Sequence, residues 1–199
     1  MTKLLSSLRL TILAGLLLTL FFFTYYLKLG NILDIYFWQF IFRYIHVLAG
    51  IMWIGLLWYF NFIQIPNMPK IPDEQKPAIG KVIAPAALWY FRWGAMLTLI
   101  SGLILAHLNG YLFSALQLGL SEGNNRDMAI GIGMWLAIIM WFNVWFVIWP
   151  NQKRALGIVE ADADLKAKSA KKAMLFSRTN TLLSIPMLFA MVSAQNIWA

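Results

Sequence analysis

All eight carboxylates of this 199-residue chain (Asp34, Asp73, Glu74, Glu122, Asp127, Glu160, Asp162 and Asp164) fall between five long apolar stretches. Those stretches run over about 9–28, 36–64, 86–113, 128–149 and 180–198. A charge held at the centre of a bilayer costs roughly 2.5–3.5 kcal/mol on insertion scales, so a residue type that avoids every apolar run is avoiding hydrocarbon. Each run also reaches or exceeds the ~20 residues needed to cross a 30 Å core. The expected fold is an all-α integral membrane bundle of five transmembrane helices. It reads as a single membrane domain over 1–199, with spans two to five as a four-helix core and span one as an N-terminal anchor. The composition agrees: 12% of residues are charged, against about 25% in a soluble domain.

The first run has a basic flank (Lys3, Arg9) like that of a signal peptide. Its apolar length is too great for one, and no small-x-small cleavage site follows Phe21-Phe22-Phe23, so it reads as an uncleaved anchor. The connections alternate in charge. The N-terminal tail, the second loop (Lys70, Lys76, Lys81) and the fourth loop (Lys153, Arg154, Lys166, Lys168, Lys171, Lys172, Arg178) together hold twelve basic residues. The opposite side has Lys28 and Arg126, and Arg43 and Arg92 lie inside spans. The positive-inside rule then places the N-terminus in the cytoplasm and the C-terminus outside. Basic loops against a cytoplasmic leaflet account for the net charge of +8 without nucleic acid as a partner; the lipid bilayer is the expected one.

Tyr25, Tyr26, Tyr36, Trp38, Trp58, Tyr59, Trp89, Tyr90, Trp149 and Trp198 cluster at span ends, where amphipathic rings meet headgroups. Pro66, Pro69, Pro72, Pro77 and Pro85 rule out a long helix within 65–85. The Ala, Lys and Glu content of about 155–176 predicts a helical extension between spans four and five. With no cysteine in the chain, disulfides, thiolate metal sites, iron–sulfur clusters and covalent haem attachment are excluded.

Only two histidines are present, His46 in span two and His107 in span three. If the two spans meet the inner edge near Gln64 and Leu88, counting at 1.5 Å per residue puts both imidazoles near one depth, toward the outer face. Two level imidazoles on adjacent antiparallel helices suit the axial positions of a b-type haem. A solvated His107 at a span end, near Asn109, is the alternative. Arg43 stands one turn from His46, with no carboxylate at its depth. Its partner is then a haem propionate or an anionic substrate, unless it snorkels to the outer headgroups. His46, Gly50 and Trp53 recur at helical spacing, and the glycine admits a flat macrocycle or a neighbouring helix. Gly55, Gly94, Gly102, Gly131 and Gly133 read as helix-packing positions. Asn143 sits inside a span and requires a partner, with interhelical hydrogen bonding the default role for such amides.

Several segments carry a resemblance. His46-Val47-Leu48-Ala49-Gly50-Ile51-Met52-Trp53-Ile54-Gly55 followed by Tyr59-Phe60, Phe91-Arg92-Trp93 with Ser101-Gly102, Asn143 through Lys153, and Asn180 with Ile185-Pro186-Met187-Leu188-Phe189 resemble the membrane domain of the bacterial membrane-bound urate hydroxylases, the urate oxidase N-terminal domain family. The likeness covers roughly 40–196. Full-length members have further membrane helices and a C-terminal cytochrome c domain, which are not found in this sequence. The resemblance implies oxidoreductase chemistry in the bacterial inner membrane, with electrons passing to a cytochrome c on the outer side. Thr179, Gln195 and Gly94 stand where members tend to carry two histidines and an acidic residue, and His107 has no clear counterpart. The scaffold and His46 are what carries over. The arrangement from span two onward is also similar to the haem-binding four-helix protoporphyrinogen oxidases and copper-resistance D-type proteins, in which a histidine of the first core helix is an axial haem ligand. That likeness again implies His46. Two readings follow: a b-type haem redox protein, and a cofactor-free structural or accessory subunit packed against a membrane complex or a second copy of itself.

Overall fold

The structure is a computed structural model that describes residues 2–30, 33–120 and 123–198. Glu122 lies outside the described residues. Helix is the only regular structure among those residues, as expected where backbone N–H and C=O groups must be paired within their own segment. Five helices are long and apolar enough to cross a bilayer: α1 Leu8–Lys28, α2 Ile35–Lys70, α3 Lys76–Leu108, α5 Asn125–Ala155 and α6 Ala163–Ser193. A short helix, α4 Leu112–Leu116, lies between α3 and α5.

The chain divides into two compact units, one ending at Trp38 and the other running from Gln39 onward. In the first, α1 is apolar all round and buries no residue. Phe23 and Tyr26 meet Phe37 with ring centroids 5.4 and 5.9 Å apart. The start of α2 is capped by Asp34, whose carboxylate accepts the Phe37 N–H at 3.0 Å.

The second unit is the four-helix core. Trp53, Leu57, Phe60, Leu88, Phe91, Met140, Val144 and Met187 form its centre, and Phe60 meets Phe91 edge to face at 5.7 Å. Three glycines act as packing positions. A Cβ on Gly94 would stand 3.3 Å from the Trp53 backbone nitrogen, one on Gly133 would stand 3.1 Å from Met191 Cγ, and one on Gly131 would run into the Ala115 carbonyl oxygen. Asn143 finds its partner inside the core. Its Nδ2 donates to Asn180 Oδ1 at 2.8 Å, and Asn180 Nδ2 donates to the Met140 carbonyl at 2.9 Å. Such interhelical bonds contribute on average about 0.6 kcal/mol and at most about 1.7.

Several boundaries differ from those expected. The proline-rich segment 65–85 is helical to Lys70 and again from Lys76. The reason lies in three wide, π-type stretches: Tyr59–Gln64, Ile79–Ile83 and Asn143–Ile148. Each ends two residues before a proline (Pro66, Pro85, Pro150). Proline offers no N–H to the carbonyl four residues back, and its ring crowds that carbonyl. A widened turn just before it relieves the clash, so the helix continues. Pro186 is carried inside α6 without such widening. Span three stops at Leu108 rather than 113, with Gly110 at φ +79° in the turn that follows. Span four begins earlier, at Asn125, because Asn124 accepts the N–H groups of Arg126 and Asp127. The extension expected over 155–176 is part of span five itself. α6 starts at Ala163, capped by Asp162, and runs unbroken to Ser193.

Candidate functional site

α2 and α6 are tied together at one end of the core. Trp58 Nε1–H donates to Ser184 Oγ at 3.0 Å, and Asn61 Nδ2 donates to Ser177 Oγ at 2.8 Å. Toward the other end a cavity of about 660 Å³ lies between these helices, backed by α3 and α5. That volume is within the roughly 300–1,000 Å³ of ligand pockets. Its rim is exposed at Arg43, Val47 and Ile51 on α2 and at Val192, Gln195 and Asn196 at the end of α6.

His46, Gly50 and Trp53 line this cavity together with Arg43, so the four residues share the face of α2 that borders it. His46 is half-buried. Its Nδ1 lies 2.9 Å from the Thr98 carbonyl oxygen on α3, with Ser101 Oγ at 3.5 Å. A carbonyl can only accept, so Nδ1 carries the proton. In the neutral ring Nε2 is then a bare lone pair, the arrangement of histidines that ligate a metal through one nitrogen and are oriented through the other. Gly102 makes the ring position accessible, since a Cβ there would stand 2.8 Å from His46 Cε1. Trp53 is 1% exposed, and its buried Nε1–H has no acceptor among the described residues. Tyr111, just beyond α3, completes the polar end of the lining. Burial pushes its phenol upward, and the charges of Arg126 and Arg43 oppose the shift.

His107 is exposed and is not part of this lining. The two imidazoles are not level. His46 faces Thr98 to Gly102, Trp53 faces Gly94, and Gln39 Nε2 donates to the Leu108 carbonyl at 2.8 Å. This register places His107 opposite the first turns of α2. Gln64 and Leu88 are therefore not a common edge, because α2 and α3 are offset from that register by about five residues. The other soft donors in the lining are the thioethers of Met134, Met187 and Met191. Among the described residues no cluster of three or more His, Cys, Asp or Glu side chains could hold a metal ion.

Thr98 and Gly102 are the contributions that residue types alone left unread. Thr98 acts through its backbone carbonyl, which no side-chain pattern signals. Gly102 works by clearing space for a ring rather than for a neighbouring backbone. Gly55, similarly, lines the cavity and meets nothing within 4 Å that a Cβ would touch.

The lining residues Ile130, Met134, Ala137, Met187, Met191 and Gln195 all come from α5, α6 and the segment just after them. Residues 120–198 match the urate oxidase N-terminal family. That stretch includes the Asn143-to-Lys153 run, the Asn143–Asn180 pair and one wall of the cavity. The helices bearing His46 and Thr98 lie before it. Over this segment the chain is similar to that family. No curated protein and no solved structure matches the chain.

Proposed function

We propose that the cavity holds one b-type haem and that the chain is a membrane electron-transfer protein or oxidoreductase of the inner membrane. His46 Nε2 is the axial ligand, and the Thr98 carbonyl holds the ring through Nδ1. Gly102 leaves room for that ring, and Gly50 keeps the cavity wall beside Thr98 open. Arg43 and Tyr111 at the rim meet the propionates. The observation that carries this reading is the His46–Thr98 bond beside an apolar cavity of ligand size, which commits one imidazole nitrogen and leaves the other for a ligand. The donor set suits haem better than a bare ion, because one imidazole and thioethers are axial-type ligands while carboxylates are missing from the lining. The bound haem supplies one-electron redox chemistry. The polypeptide sets its potential through ligation, burial and the positive charge of Arg43. The lysine-rich connections face the cytoplasm by the positive-inside rule, so the Arg43 end of the cavity faces outward, where a cytochrome c exchanges electrons.

The test is an optical spectrum of the detergent-purified full chain, oxidised and then reduced. A Soret band that sharpens on reduction is expected. His46→Ala removes it and His107→Ala leaves it in place. A colourless protein, or a band indifferent to His46, overturns the proposal and favours the cofactor-free accessory subunit.

A further inference from the structure

The haem proposal uses Arg43 and leaves aside the second arginine inside a span, Arg92, at the middle of α3. Its Nε–H donates to the Leu88 carbonyl at 3.3 Å, one turn back. The side chain is thereby directed toward the N-terminal end of α3, the end that carries Lys76 and Lys81. There its guanidinium carbon stands 3.5 Å from the centroid of the Trp149 ring and 5.7 Å from that of Trp145. Lys153 approaches the same Trp149 ring, with Nζ 5.7 Å from the centroid. Two cations therefore share one indole. Neither has a carboxylate: among the described residues the ion pairs are Lys76–Asp73 and Lys168–Asp164.

A guanidinium has five N–H groups, all in its plane. Stacking on Trp149 covers a face and leaves the plane free. The Leu88 carbonyl takes one donor, and the other four have no acceptor among the described residues. An arginine within a span pairs with polar groups or reaches the interface, and a planar fork near an ammonium suits the oxygens of a phosphate. The depth suits a headgroup. Lys153 lies two residues before the end of α5 at Ala155, and Trp149 is an amphipathic ring of the kind that sits at the membrane–water boundary.

We propose that Arg92, Lys153 and Trp149 form a binding site for the phosphate of an anionic phospholipid in the leaflet that borders the lysine-rich connections. The site is separate from the haem cavity, and its test does not depend on haem.

Native mass spectrometry of the full chain, with phosphatidylglycerol or phosphatidylcholine added, reads it directly. Phosphatidylglycerol should be retained in preference. Each basic residue near a membrane surface contributes enough attraction that Arg92→Gln or Lys153→Gln should weaken retention about five-fold. Lys168→Gln, whose lysine already has Asp164, should not. Millimolar inorganic phosphate should leave the lipid adduct in place. Equal retention of the two lipids overturns the proposal, as does wild-type retention by both Gln variants. Phosphate that strips the lipid and binds the lipid-free chain shows a free-anion site and overturns the lipid assignment. Should Arg92→Gln fail to fold, Lys153→Gln at the end of α5 carries the same comparison.

Discussion

Gly102 stands where a methyl group would lie 2.8 Å from the His46 ring. The ring is the end of a flexible side chain, so Gly102→Ala is expected to turn it away from the Thr98 carbonyl rather than unfold the bundle. Holding a side chain off its rotamer costs about 0.5–1.5 kcal/mol, so haem affinity should fall roughly two- to ten-fold while the thermal midpoint moves by only a few degrees. Equilibrium haem binding beside a melting curve checks both halves. Gly50 differs: a Cβ there reaches Thr98 Cγ2 only at 4.0 Å. Gly50→Leu therefore meets no backbone and should block the cavity with the fold intact, which retained melting and lost haem would show. His46, Gly50 and Trp53 were legible as one face because a helix repeats every 3.6 residues. Thr98 was not, because its part is played by a backbone carbonyl that every residue type carries. His107 was misplaced in depth because residue counts from an assumed edge ignore the offset between neighbouring helices.

At the scale of helices, the apolar runs were readable and their ends were not. Asp34, Asn124 and Asp162 each begin a helix through a side-chain oxygen, which moves boundaries by a few residues. The prolines misled more seriously. Read singly they break helices, but three of them follow a widened turn that absorbs the missing N–H. Asn143 lies in one such turn, and its bond to Asn180 joins α5 to α6. Removing one partner leaves the other buried, so Asn143→Leu is expected to destabilise by about 1–3 kcal/mol. The double variant with Asn180→Leu should recover part of this, giving a coupling near or above the ~0.6 kcal/mol usual for interhelical bonds in membranes. Unfolding in mixed micelles measures the cycle, and strict additivity would show that the pair is not a unit.

For the whole molecule, exclusion of carboxylates from five runs was enough to give a membrane bundle, because hydrocarbon penalises charge regardless of packing detail. The cavity was not legible, since it depends on α2 and α6 being pinned at one end by Trp58–Ser184 and Asn61–Ser177. Cysteine reporters placed near residues 2 and 198 are expected to label on opposite sides of the membrane, the second from outside; labelling on one side would contradict the proposed orientation of the cavity. The proposed redox role requires one haem per chain held through His46. Haemin titrated into the purified protein should saturate at one equivalent in the wild type and fail to bind stoichiometrically in His46→Ala of equal thermal stability. Saturation of both proteins at the same equivalence, or no saturable binding by the wild type, would contradict it.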